Sequence, residues 1–263
     1  MVTASPTRTV MSDEEVSRLL GLLKGADSVE LKMTVDVEAH QATIAALGID
    51  PLDAKIRQVF FLDTPDQRLR AAGLIVRARR IQGKRGDSTV KVRPVVAAEL
   101  PPEVRKLPDF GVEVDAMPGG FVCSASLNHA LDNSEPRDAA AGKLPRRKLF
   151  SKDQRAFFAS HAPEGIVLDD LTMMGPFFVL KAKWTPDRGP RSMTAEMWLY
   201  PDGSRVLELS TKCLPGEAFQ VAAEARVYLT ERGVSLTGEQ VTKTQKALEF
   251  FAGSSPRSDV RGY

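Results

Sequence analysis

The chain is poor in the residue types that mark several common site chemistries. It has two cysteines, Cys123 and Cys213, in 263 residues, too few for a disulfide framework and without the spacing of a zinc site. Two buried or half-buried thiols in a cytoplasmic protein is the expectation. Three histidines, His40, His129 and His161, show no metal-ligand spacing. None of them lies near Ser210-Thr211-Lys212-Cys213 in sequence, so nucleophilic catalysis has no constellation to rest on. The absence of a GxxxxGKS/T loop excludes ordinary P-loop chemistry by motif. Apolar runs are short: Met173–Leu180 is cut by Gly175 and Pro176 and stopped by Lys181, well below a membrane span. The amino terminus, MVTASPTRTVMSDEEV, has no apolar core of the kind a secretion signal needs. Net charge is only +2, and Phe and Trp do not interleave with the basic segments, which argues against a single-stranded nucleic-acid groove.

What is present is a charge pattern. Hydrophobic residues at 43% and charged residues at 27% are those of a soluble globular protein, and the length suits one large domain or two small ones. From Gln67 to Arg93 the chain carries nine Lys or Arg and one acid, Asp87. Arg77 and Arg79 alternate with Val76 and Ala78; Lys91 and Arg93 alternate with Val90 and Val92. Residues i and i+2 of a strand share a face, so two neighbouring strands each put two cations on one side and apolar groups on the other. This inverts an ordinary half-buried strand and predicts a barrel with a wet, cationic interior suited to a polyanion. Arg68, Arg70, Arg80, Lys84 and Arg85 read instead as a solvated face on a helix or turn.

Period-two patterning predicts strands at Ser28–Asp36, Lys55–Leu62, Leu74–Ile81, Ser88–Val95, Ile166–Leu171, Phe177–Trp184, Ala195–Tyr200 and Val206–Lys212, with weaker candidates at Gly111–Asp115 and Phe121–Ala125. Helices are expected at Glu38–Leu47, Ser151–Ser160 (capped by Ser151), Pro215–Glu231 and Gly238–Phe251, and Asn133–Leu144 reads as a loop. Residues 1–26 form a tail and short helix, 27–252 the domain, and 253–263 a flexible tail. Many strands and few helices argue for an all-β or α+β barrel, of which α+β is the reading adopted.

These residues resemble a known family. FFLDTPDQRLRAAGLIVRAR is similar to the signature of the CYTH domain, the triphosphate tunnel metalloenzymes. Glu30-Leu31-Lys32 resembles the later part of the amino-terminal ExExK strand, and Thr89–Arg93 the TxKxR strand. Val206–Gly216 resembles the closing ExE strand and its helix, and Thr242–Ala247 a terminal SK-containing helix. The resemblance spans roughly residues 28–250. It implies an eight-stranded antiparallel tunnel in which inward cations and a divalent metal, Mg²⁺ or Mn²⁺, grip a triphosphate. Members of the family pair through barrel faces, so a homodimer is an implied assembly beside the small-molecule triphosphate or polyphosphate.

The chemistry accounts for the residue types. Guanidinium forks and ammonium point charges both suit phosphate oxygens. Lys32, Arg77, Arg79, Lys91 and Arg93 are the first candidates for the substrate; Arg146, Arg147, Lys148, Lys181 and Lys183 form a second tier, and Lys212 and Lys243 complete the set. Hard divalent cations take carboxylate oxygens; Glu30 and Glu208 match the family's metal strands, with Glu113, Asp115 and Glu196 as further ligand candidates. Each of these acids also reads as an ion-pair partner for a tunnel cation. Glu30, Lys32 and Glu208 are the catalytic candidates. Two departures stand out: Ser28 and Ser210 occupy positions where the family carries carboxylates. The implied activity is hydrolysis of a triphosphate-containing substrate. Class IV adenylyl cyclase chemistry and non-catalytic polyphosphate or nucleotide binding are the alternatives.

Overall fold

The structure, a computed structural model, describes residues 12–118, 120–190, 192–234 and 247. Among them nine strands, β1 (Ser28–Val35), β2 (Lys55–Asp63), β3 (Leu74–Ile81), β4 (Gly86–Val92), β5 (Phe110–Met117), β6 (Gly120–Leu131), β7 (Thr172–Trp184), β8 (Met193–Leu199) and β9 (Arg205–Cys213), close into one barrel. The ring runs β1-β5-β6-β4-β3-β2-β7-β8-β9 and returns to β1. Helices accompany it among the described residues: α1 (Asp13–Leu23), α2 (His40–Ala46), α3 (Arg68–Ala71), α4 (Pro102–Arg105), α5 (Glu135–Ala140), α6 (Lys152–Ala159) and α7 (Ala218–Glu231). The expected α+β barrel is therefore present, with nine strands rather than eight. Neighbours in a ring cannot all alternate in direction when their number is odd, and the parallel pair falls between β1 and β5; every other ladder is antiparallel.

The inverted pleat is explained by where the helices lie. Val76, Ala78, Val90 and Val92 point outward and share a core with Leu69 of α3, Ala139 of α5 and Phe157 and Phe158 of α6. Leu19 and Leu23 of α1 cover Val29, Val112 and Val114. Tyr228 and Leu229 of α7 cover Met33, Val35, Leu207 and Leu209. With apolar burial on the outside, the inner face is released for charge. The interior is nevertheless not wet throughout. Toward one end it is filled by Phe61, Phe177, Trp198 and Tyr200. Their rings meet edge-on or stacked, Phe61 6.0 Å from Phe177 and Tyr200 5.5 Å from Phe177 between centroids.

Side chains fix the connections. Ser151 caps α6 in a reciprocal box with Gln154, and the Gln154 amide donates to the carbonyls of Ser88 (3.1 Å) and Leu127 (2.8 Å), tying α6 to β4 and β6. Buried Asp63 accepts from the amides of Thr64, Leu69 and Arg70 at 2.7–3.0 Å and so organises α3. Three expectations are corrected. Ile166–Leu171 is not a strand: it holds a short 3-10 turn, Leu168–Asp170, and β7 starts at Thr172, crossing Gly175-Pro176 by a register shift opposite Val59 and Phe61 that accommodates the proline's missing donor. Asn133–Leu144 contains α5, whose first turn begins Glu135-Pro136. Arg80 lies on β3 rather than in a turn, donating to Gln58 and to the carbonyl of Asn133. The helix expected over Gly238–Phe251 lies outside the described residues apart from Ala247, as does Lys243.

Candidate functional site

The barrel encloses a cavity of about 1130 Å³, at the upper end of small-molecule sites. Eight wall cations line it: Lys32, Arg57, Arg77, Arg79, Lys91, Arg93, Lys181 and Lys212, facing five carboxylates, Glu30, Glu113, Asp115, Glu196 and Glu208. Strand periodicity brings them inward and ladder register sets them side by side. β1 and β5 align Glu30 with Asp115 and Ser28 with Glu113; β8 and β9 align Glu196 with Glu208; β7 and β8 align Lys181 with Glu196.

Two sub-regions differ in character. In the first, Glu30, Glu113 and Asp115 each offer an oxygen, all within 4.8 Å of one another. Lysines intercalate among them: the Lys32 amine lies 2.5 Å from Asp115 and 3.0 Å from Glu30, Lys91 3.4 Å from Asp115 and 3.8 Å from Glu113, and Lys212 2.7 Å from Glu113. Burial alone would lower Lys32, but Asp115, Glu30 and Glu208 outweigh it and hold the amine above its ordinary value. Lys91 shifts the other way: burial dominates, and Lys32 and Arg93 add repulsion that its longer contact with Asp115 does not offset. Burial would raise Asp115, yet Lys91 and Lys32 keep it well below the usual carboxylate range. Ser210 donates to Glu30 at 3.2 Å. The chain that lacks carboxylates at 28 and 210 thus presents two on β5, and the serine at 210 supports the one on β1.

In the second sub-region three guanidiniums crowd together. Arg79 makes a bidentate pair with Asp87, 2.8 Å at both nitrogens. Arg77 donates to Thr89 at 3.3 Å, and its buried Nε has no partner; the Nε of Arg57 has none either. Burial and then Arg79 push Arg77 down to about 9 and also lower Arg57. A guanidinium keeps its proton at neutral pH, so the shift expresses electrostatic discomfort that an incoming anion would relieve.

Among the predicted site residues, Arg147 and Lys183 stand apart from the cavity. Arg147 pairs with Asp169 in the 3-10 turn Arg146–Leu149, where Arg146 also bonds the Asp169 carbonyl at 2.9 Å, and Lys183 is exposed beyond the bend of β7. Sequence reasoning missed Arg57, because Val59 and Phe61 of the same parity belong to the aromatic filling and disguise the inward face of β2 as core. It also missed Arg18 of α1 and Arg226 of α7, which line the cavity but read in sequence as exposed helix residues.

The result is a closed barrel of nine strands whose cavity wall bears more cations than carboxylates, with a carboxylate trio at one place as a candidate cation centre. No family model matches the chain, and no curated protein does. Solved structures share its fold. A Hippeastrum protein described as a candidate adenylyl cyclase that reveals a dominant triphosphatase activity superposes with TM-score 0.61 at 16% identity over 84% of this chain and 95% of that one. A Bacillus halodurans protein described as a candidate adenylate cyclase gives TM-score 0.57 at 16% identity over 84% and 98%. Both are consistent with the resemblance to the CYTH domain.

Proposed function

We propose that the chain is a CYTH-type, metal-dependent hydrolase of a triphosphate-containing substrate, inorganic or organic. The observation that carries this reading is the carboxylate trio of Glu30, Glu113 and Asp115 set in one cavity with Lys32, Lys91 and Arg93. Three clustered carboxylates suit a hard divalent cation such as Mg²⁺ or Mn²⁺, and such an ion, when bound, draws charge from phosphate oxygens. The rest falls to the chain. Arg57, Arg77 and Arg79 hold one end of the phosphate run, and Lys32, Lys91 and Arg93 the other, offsetting charge that builds on transfer. Glu208, opposite Glu196 and outside the trio, orients the attacking water. A dedicated binding module would need no trio, which speaks for turnover despite Ser28 and Ser210.

A panel of tripolyphosphate and organic triphosphates assayed with Mg²⁺ and with Mn²⁺ tests the proposal. Metal-dependent release of orthophosphate is expected, and Glu30→Gln should reduce it by about a hundredfold, the scale of one lost preorganised contact, while phosphate binding survives on the cations. Cyclic nucleotide with pyrophosphate would instead make the protein a cyclase, and binding without turnover would make it a sensor.

A further inference from the structure

The cationic run from Gln67 to Arg93 contains a single acid, Asp87, and the fold puts it on the inside of the barrel. The ladder of β3 and β4 aligns Asp87 with Arg79 and Thr89 with Arg77, so Asp87, Thr89 and Lys91 share the inner face of β4. The two arginines are treated differently. Arg77 is met by the Thr89 hydroxyl at 3.3 Å and keeps a buried Nε without a partner. Arg79 is met side-on by a carboxylate, its Nε and Nη2 each 2.8 Å from a separate oxygen of Asp87. That leaves Nη1 of Arg79 uncommitted. The lining of the cavity takes in Arg79 and stops short of Asp87, so a ligand need not displace this carboxylate, which acts through the guanidinium that it holds.

Its influence extends beyond one pair. Burial would raise the Asp87 carboxyl, yet Arg79, then Arg77 and Arg57, hold it below its ordinary value. In return Asp87 supports the charge on Arg77 and Arg57 against burial and against Arg79. Three guanidiniums converging inside a barrel repel one another, and one fixed carboxylate relieves that repulsion while the cavity is empty. The same negative charge opposes a phosphate arriving at the cluster. Asp87 and Arg79 are half-buried, where salt screens such an interaction less than at an open surface.

We propose that Asp87 is a positioning residue and a built-in counter-charge: it fixes the plane of Arg79 and, through it, moderates how tightly the Arg57, Arg77 and Arg79 end of the cavity holds phosphate. This rests on the cavity being a triphosphate site. The empty barrel is steadier with Asp87 in place, and its grip on a polyanion is weaker.

The test pairs thermal melts of the ligand-free protein with calorimetric binding of inorganic tripolyphosphate, without divalent metal so that it is not turned over. Asp87→Asn keeps an acceptor for Arg79 and removes the charge. Empty, it should melt below wild type, because Arg79 loses its ion pair. It should nevertheless bind tripolyphosphate about tenfold more tightly, the scale of one opposing charge withdrawn from a half-buried site. A merely structural residue would not raise affinity when replaced. Asp87→Glu restores the charge and should return the affinity to the wild-type value. Asp132→Asn makes the same change in net charge at an exposed pair with Arg85 and should leave binding unaltered. Asp87→Ser repeats the measurement if the asparagine variant does not fold. Unchanged or weaker binding on loss of the Asp87 charge, no return in Asp87→Glu, or equal tightening in Asp132→Asn overturns the inference while the cavity stands as a triphosphate site. A wild type that binds no tripolyphosphate sinks both.

Discussion

Arg77 is held where its charge is least favourable in the free protein: buried, beside Arg79 and Arg57, with an unpaired Nε. Removing it should therefore act with opposite signs on stability and on binding. Arg77→Met should stabilise the ligand-free protein by about 0.5–2 kcal/mol, the range gained when a strained functional site is relaxed. It should weaken tripolyphosphate binding by about 1.5–3 kcal/mol, the value of a charged hydrogen bond. Paired melting and calorimetry measure both, and loss of stability without loss of affinity would remove Arg77 from the site. Asp115 offers the converse. Its carboxyl is held low by Lys91 and Lys32, so its ionised form contributes stability that is complete above about pH 4 and lost as pH falls through the lowered value. Asp115→Asn should cost about 3 kcal/mol at neutral pH, because two half-buried lysines lose a shared partner, and should flatten the melting profile from about pH 4 downward. Melts across that range decide it; an unchanged acid limb would mean that Asp115 is not the group responsible.

At the scale of elements, the family-like run from Phe60 to Arg79 divides into two functions. Arg77 and Arg79 face the cavity, while the DTPD segment builds the scaffold: Asp63 gathers three amides at the start of α3, and Gly73 turns the chain into β3 with φ +73. A Cβ on Gly73 would stand 2.1 Å from the carbonyl oxygen of Arg93, whose amide donates back to Gly73 at 2.9 Å. Gly73→Ala should thus destabilise by more than about 2 kcal/mol, combining backbone strain with a steric clash. It should also displace Arg93, visible as weaker phosphate binding in whatever fraction still folds. The inward placement of Arg77, Lys91 and Glu208 was legible because charge and apolar residues alternate strictly around them. Arg57 was not, since the aromatic filling makes both faces of β2 apolar past that point. Nor was the trio as a unit, because Glu30 meets Asp115 only through a parallel ladder between segments 85 residues apart, which no local pattern encodes. Arg147 misled for the same reason: a basic run looks alike whether it faces a cavity or, as here, Asp169.

For the molecule as a whole, a surplus of unmatched interior cations means that an anionic ligand should bind the folded state strongly and the unfolded chain hardly at all. Tripolyphosphate at a hundred times its dissociation constant should add about 2.7 kcal/mol of stability, a rise of about 5–10 °C in melting temperature for a chain of this size; sulfate should reproduce little of it. No helix among the described residues is long and apolar enough to cross a membrane. The ring of strands has a further consequence, for the order of folding. β1 is made first, yet its longest ladder is with β9, joining Val29 to Cys213, 184 residues along the chain. Its other neighbour, β5, offers only four residue pairs. A growing chain that has not reached Arg205 therefore carries two open sheet edges, each a template for pairing with another chain, and closure, being the most non-local of the barrel's ladders, should set the folding rate. Cutting the chain before Arg205 should give a product that aggregates rather than a smaller barrel.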